Sequence, residues 1–332
     1  VGLNPTHISK IMTSQEFIEK RLRQLKPEKS EMSFSSQDQL SEFIFKTIMS
    51  KKFRKFSVSE EYQKQIKEAI DKSVSKNLPI KFVFVFGGYK LWRLDEAPDA
   101  DWAELFTLMY YAKWLKPITE VYKPGLVFDF CSDDVIVERM NNIPKNETES
   151  YADSFRELLD FLKNYLPENM KITLTPVGSL YTPEEFDEDL KDKINLMEKQ
   201  LGGLPTLDER HKRMVEINVR LKPGQDSDPL WHEKTELIHR AYYTVSRRRP
   251  YTRDKDKVLV FCTPMENCIP VGTTKTSVAK FWVGVGALKV KGDEYVEYVL
   301  SPSQLESSEY EWESVSVQGL TDSNFKKLRV LK

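Results

Sequence analysis

The hydrophobic pattern changes period along the chain. From Ser14 to Leu25, Ser36 to Ser50 and Ser57 to Val74, apolar residues recur at helical spacing on a polar background, which predicts three amphipathic helices. The serine-rich piece Glu28 to Ser35 reads as a linker. From Pro79 the pattern turns into continuous apolar runs. Lys81 to Phe86 ends abruptly on Gly87-Gly88, and Leu126 to Cys131 ends on Ser132-Asp133-Asp134. Between them a polar loop leads into an amphipathic helix over 101–116, closed by Tyr122-Lys123-Pro124-Gly125. Strand, glycine turn, helix, strand is the order of a βαβ unit in a parallel sheet.

Beyond Asn142 the pattern predicts a polar loop, a helix over 151–165 with Phe155, Leu158, Leu159 and Leu162 on one face, and a strand over Lys171 to Pro176. A charged, helical stretch then runs from Thr182 to about Arg248, broken at Gly202-Gly203-Leu204-Pro205 and again at Pro223 to Pro229. Further strands are expected over Lys257 to Cys262, Lys280 to Leu288 and Glu294 to Leu300. The last two form an antiparallel hairpin across Lys291-Gly292-Asp293. Glu311 to Val317 alternates weakly, as an edge strand would. The expected fold is α/β. A mainly parallel, Rossmann-like sheet of 80–86, 126–131, 171–176 and 257–262 carries helices on both faces, because apolar runs this continuous need cover on both sides. Residues 1–78 would be an N-terminal helical segment, and 79–332 an α/β catalytic-type domain with a charged helical insertion at 182–249.

Composition narrows the function classes. The 332 residues hold 50 Lys+Arg against 51 Asp+Glu, a formal net charge of -1. Nothing in that balance calls for a polyanionic partner, so no nucleic-acid role is expected. No apolar run approaches the roughly 20 residues of a membrane span, so no membrane role is expected either. The first residues, VGLNPTHISKIM, lack the apolar core of a signal peptide. A leader removed ahead of Val1 stays open, and a cytoplasmic, reduced protein is the expectation. The three cysteines (Cys131, Cys262, Cys268) and four histidines (His7, His211, His232, His239) show no metal-ligand spacing. His232 and His239 are two helical turns apart and could share a face. The expectation is no metal and no cofactor. Asn146-Glu147-Thr148 is a glycosylation sequon that reads as chance.

Ligands of open α/β sheets sit beyond the carboxyl ends of the strands. Lys90 and Arg93 follow the first strand; they are either two solvated charges or a clamp for an anion or carboxylate. Gly87-Gly88 lacks dinucleotide-loop spacing, and no Gly-Lys-Ser/Thr triplet occurs. Asp99, Asp101 and Glu104 flank the next helix start. Capping alone accounts for them, while Glu104, one turn in, could also face a pocket as a general base. Ser132, Asp133 and Asp134 close the second strand, as a local turn or as part of the site. Arg247-Arg248-Arg249 suits either a helix C-terminus or a phosphate. Thr274 and Lys275, in a hydroxyl-rich stretch, are either a plain polar loop or a phosphate cradle.

The order of these elements resembles a known family. An apolar strand precedes a glycine-and-lysine loop, then Pro98-Asp99, Ala103-Glu104, Ile118, Tyr122-Lys123-Pro124-Gly125, and an apolar strand closing on Ser132-Asp133-Asp134. This is similar to the isocyanide (isonitrile) synthase family, also called the pyoverdine/dityrosine biosynthesis proteins. Tyr151 to Leu162, and Lys257 to Phe261 leading into Thr263-Pro264, resemble its later elements; together about two thirds of the chain is covered. The resemblance implies an α/β fold and a metal-independent reaction that joins the amino group of tyrosine or tryptophan to a ketose phosphate and releases an isonitrile. It implies a pocket around Lys90, Glu104 and Asp133. Two departures stand out. Met265-Glu266-Asn267 replaces the Trp-His pair that follows Thr-Pro in the family, and Ser132-Asp133-Asp134 replaces Ser-Asp-Gly. A divergent branch with a different substrate is therefore expected.

The resulting expectation is an enzyme of small-molecule secondary metabolism acting on an amino acid or amine and a pentose phosphate, with Lys90, Glu104 and Asp133 as catalytic residues. Arg93, Ser132, Asp134, Arg247, Arg248, Thr274 and Lys275 would bind substrate. The alternative is a non-catalytic ligand-binding or assembly protein keeping the fold, supported by the missing Trp-His and the charged insertion. A transferase using a nucleotide-activated donor is a third reading. A homo-oligomer is compatible with each.

Overall fold

A computed structural model describes residues 12–28, 32–54, 56–87, 99–221, 223–242, 256–262, 267–272 and 278–331. Three N-terminal helices form where the pattern places them: α1 (Ser14–Arg23), α2 (Gln37–Ile48) and α3 (Glu60–Ser75). Each begins on a hydroxyl residue, Thr13, Ser36 or Ser59, whose side chain accepts an otherwise orphaned first-turn N–H.

The parallel sheet contains β1 (Ile80–Phe86), β2 (Leu126–Ser132), β3 (Met170–Pro176), β4 (Lys257–Phe261) and the two-residue β5 (Ile269–Pro270). Its order is β3-β2-β1-β4-β5, and every neighbouring pair is parallel. All four strands read from the sequence are present, and 126–131 lies directly beside 80–86. The two-sided burial that makes these runs apolar is visible in β1, where Phe82, Val83, Phe84, Val85 and Phe86 are all buried. The phenylalanines meet α4 (Trp102–Val121), which joins β1 to β2: Phe82 faces Trp114, and Phe84 faces Tyr111. This helix runs through Pro117, past the end expected at 116. Between β2 and β3 come α5 (Asp134–Met140) and α6 (Lys145–Leu162). The polar stretch after Asn142 is thus already helical at Lys145 rather than a loop up to Tyr151. Lys145, Asn146 and Glu149 are exposed on its outer side, so this first part of the helix shows only a weak apolar stripe.

The insertion consists of α7 (Pro183–Leu201), α8 (Glu209–Asn218) and α9 (Trp231–Ala241). Gly202 ends α7 in the left-handed region (φ 70°) that glycine adopts without penalty. Leu207, Val215, Val219 and Trp231 give the insertion a small core of its own.

The hairpin read from the sequence exists, but it belongs to a second sheet. There β6 (Val285–Lys291) and β7 (Glu294–Leu300) pair antiparallel, with Gly292 at φ 63° in the turn. After α10 (Pro302–Ser307), β8 (Tyr310–Ser314) and the unanticipated β9 (Lys327–Leu331) complete the order β7-β6-β9-β8. The tail strand is an edge strand as expected, ending at Ser314 rather than Val317. Lys280 to Leu288 is not one strand: Val278–Val283 is a 3₁₀ segment, and β6 starts only at Val285. Its Phe281 and Trp282 rings are drawn into the aromatic core against Phe86, with centroids 4.9 and 6.2 Å away, which overrides their strand propensity. The second sheet lies on the start of α4, where Gly286 N–H is 3.3 Å from both Asp101 carboxylate oxygens. No helix among the described residues is long and apolar enough to cross a membrane.

Candidate functional site

Strand order decides where a ligand crevice opens. From β1 the chain moves outward through β2 to β3, then returns to the other side of β1 as β4. The order therefore reverses between β1 and β4, and ligands of open α/β sheets bind outside the carboxyl ends at such a switch point. Those ends are Phe86-Gly87 and Phe261-Cys262. The sequence points to the carboxyl edge through β1 and β2; that the switch point lies on the β4 side follows only from the pairing.

Asp133 lies one strand away. Its N–H donates to Phe86 O (2.9 Å), which carries the end of β2 onto the end of β1. Although Asp133 occupies the N-cap position of α5, its side chain makes no capping bond. Instead Oδ1 accepts from the Tyr242 hydroxyl at 3.3 Å, with both residues buried. Tyr242 directly follows α9, so this contact fastens the far end of the insertion to the carboxyl edge of the sheet. Ser132 is buried in the last rung of β2, opposite Phe86 and Pro176. Asp134 turns the other way: its Oδ1 accepts from Gly178 N–H (2.9 Å), tying α5 to the turn after β3. Burial raises the Asp134 carboxyl above the usual range, against the pull of four backbone N–H groups.

Glu104 is fully buried in the first turn of α4. One oxygen accepts from Asp101 N–H (2.8 Å) in a reciprocal capping box, and the other from the Tyr151 hydroxyl (3.0 Å). Burial, followed by the adjoining Glu104 carboxylate, pushes the Tyr151 hydroxyl well above its ordinary proton affinity. The Tyr151 ring lies 6.4 Å from that of Phe86, so Glu104 and Asp133 approach the same strand end, one through Tyr151 and one through the backbone. Beneath them Phe84, Phe86, Phe130, Phe155 and Phe281 form a contiguous aromatic floor. A dry floor strengthens any electrostatic interaction made above it.

Of the residues singled out from the sequence, Glu104, Ser132 and Asp133 are buried near the ends of β1 and β2, while Asp134 faces the turn after β3. Lys90, Arg93, Arg247, Arg248, Thr274 and Lys275 lie outside the described residues, as do Met265 and Glu266. Tyr151 and Tyr242 were missed as site residues. The available signal for Tyr242 was a tyrosine at a helix end ahead of an arginine run; for Tyr151, nothing in the sequence separates it from a core aromatic. His232 pairs with Glu216 (2.9 Å), while His239 is buried three residues before Tyr242, its imidazole pushed down by that burial. No group of three His, Cys, Asp or Glu suited to a metal ion occurs among the described residues.

The fold matches a solved structure. The chain superposes on the crystal structure of the PvcA protein from Pseudomonas aeruginosa with a TM-score of 0.57, over 88% of this chain and 99% of that one. The fold is that of PvcA. Sequence identity is only 14%, so the likeness is one of fold. It agrees with the α/β fold that the resemblance read from residues 84–143 implies. No family model matches the sequence, and no curated protein matches it.

Proposed function

We propose that this chain is an isocyanide-synthase-like enzyme of small-molecule biosynthesis, condensing the amine of an amino acid with the carbonyl of a phosphorylated ketose. The observation that carries the reading is the buried Asp133–Tyr242 pair beside the β1/β4 switch point. A carboxylate held by a tyrosine at a ligand edge suits proton transfer between amine and carbonyl oxygen. In this reading Asp133 moves protons, and Tyr242 orients its carboxylate. Glu104 holds Tyr151 and the start of α4, its two oxygens accepting one hydrogen bond from each. Lys90 and Arg93 take the amino-acid carboxylate; Arg247, Arg248, Thr274 and Lys275 take the phosphate, with Ser132 and Asp134 shaping the edge.

The test is mass-spectrometric detection of isonitrile product from aromatic amino acids and a pentulose phosphate, with wild type and Asp133→Asn. Loss of a general acid–base should lower turnover by about 10²–10⁴-fold, with the melting temperature kept. A ligand at about 100 times its Kd should add roughly 2.7 kcal/mol of stability. A second reading rests on Met265-Glu266 standing where the family has Trp-His: a ligand-binding protein without turnover. Stabilisation by both substrates without product would establish that reading, and absence of both would overturn either.

A further inference from the structure

A second cavity opens well away from the carboxyl edge. It measures about 280 Å³ and lies between α1, the middle of α4 and the start of β7. Lys113 reaches it from α4, twelve residues beyond Asp101 and so roughly 18 Å along the helix at about 1.5 Å per residue. One wall is apolar: the Phe17 and Tyr295 rings meet edge to face at 5.7 Å, next to Val296. The other wall is cationic, formed by Lys20, Arg21 and Lys113.

The charges on that wall are unequally compensated. Glu297 is engaged by Arg21 at 2.5 Å, and the Arg21 guanidinium also lies 5.5 Å over the Phe17 ring. The ammonium groups of Lys20 and Lys113 have no hydrogen-bond or ion-pair partner among the described residues. Burial lowers the proton affinity of Lys113, and the charges of Arg21 and Lys52 lower it further, against an opposing pull from Glu297. This half-buried ammonium shares its surroundings with two further cations, and the anion on the wall, Glu297, is bonded to Arg21. At the mouth, the exposed Asp293 and Glu294 would repel a multiply charged anion. A single carboxylate on a flat apolar body satisfies every wall at once.

We propose that this cavity is a binding site for a small aromatic carboxylate, its ring packed against the Phe17–Tyr295 pair and its carboxylate on Lys113. The proposal goes beyond the function assigned above and does not rest on it, because the two sites share no residue. The size is just under the roughly 300–1,000 Å³ of small-molecule pockets, which suits a single-ring ligand.

The test is isothermal titration of the full chain, residues 1–11 included, with 3-phenylpropionate and with phenethylamine, which has a similar body and the opposite charge. Saturable one-to-one binding of the carboxylate and none of the amine is expected. Lys113→Met, which keeps the apolar stem, should weaken binding at least fivefold with an unchanged melting temperature. Val296→Trp, filling the cavity from the hairpin, should weaken it by at least as much, and covers the case in which the lysine variant fails to fold. The proposal is overturned by equal binding of the amine, by no binding of the carboxylate, by tighter binding of inorganic phosphate, or by less than a fivefold loss in the variants.

Discussion

Asp129 shows how one residue can work against an otherwise apolar strand. It stands in the middle of β2, between Val83 and Thr173 in the register. Its Oδ1 accepts from the Thr173 and Thr175 hydroxyls, at 2.7 and 2.8 Å. Burial raises its carboxyl above the ordinary 3.8, more than the two hydroxyls and Lys257 lower it. A carboxyl raised in the folded state binds its proton more tightly there than in the unfolded chain. Its contribution is therefore full below pH 3.8 and is lost as pH rises through the folded value. Asparagine keeps the acceptor and removes the charge. Asp129→Asn should be more stable than wild type at pH 7, with the difference closing as pH falls toward 3.8. Chemical denaturation across that range checks the sign, and a less stable variant at pH 7 would refute it. No sequence pattern announced this residue, because an acid inside a buried strand looks the same whether a threonine pair receives it or not.

At the scale of elements, legibility followed period and length. β1, β2 and the capped helices could be read because their burial is one-sided or complete, and both leave a clear periodicity. What was lost had a physical cause in each case. The 3₁₀ segment at Phe281-Trp282 carries strand-like residues that the aromatic core claims, β5 is two residues long, and β9 follows an irregular stretch after β8 and takes its parallel partner, β6, from farther back in the chain. At the site, Glu104, Ser132, Asp133 and Asp134 were visible as polar residues after apolar runs. The tyrosines that hold Glu104 and Asp133 arrive from α6 and the end of α9, and tertiary contact alone reveals them. The junction of the second sheet with α4 shows the same dependence. A Cβ at Gly286 would lie 2.4 Å from backbone atoms of Trp102 and Ala103, so only glycine lets the sheet rest there. Gly286→Ala should lower stability by about 1–3 kcal/mol as an overpacking defect, with a changed near-ultraviolet signal from Trp102. An unaltered melting temperature would show that the contact yields freely.

For the whole molecule, the place of β4 matters beyond the switch point it creates. β1, β2 and β3 are contiguous in the chain apart from their helices, whereas Lys81 to Phe84 find their other partners only in Lys257 to Val260. Loop-closure entropy grows slowly with length, so this distance costs little final stability. It does cost time, since non-local pairings slow folding. On the ribosome, β3 is complete at Pro176, and about 80 further residues separate it from β4. At roughly 5–20 residues per second the outer edge of β1 waits on the order of 4–16 s for its neighbour. During that interval a row of unpaired backbone groups, flanked by Phe82, Val83 and Phe84, is a template for another chain. A fragment ending at Gly203 should accordingly self-associate in light scattering where the full chain stays dispersed, and a monomeric, soluble fragment would contradict this. The strand that creates the switch point is thus also the one whose late arrival exposes the nascent protein to aggregation.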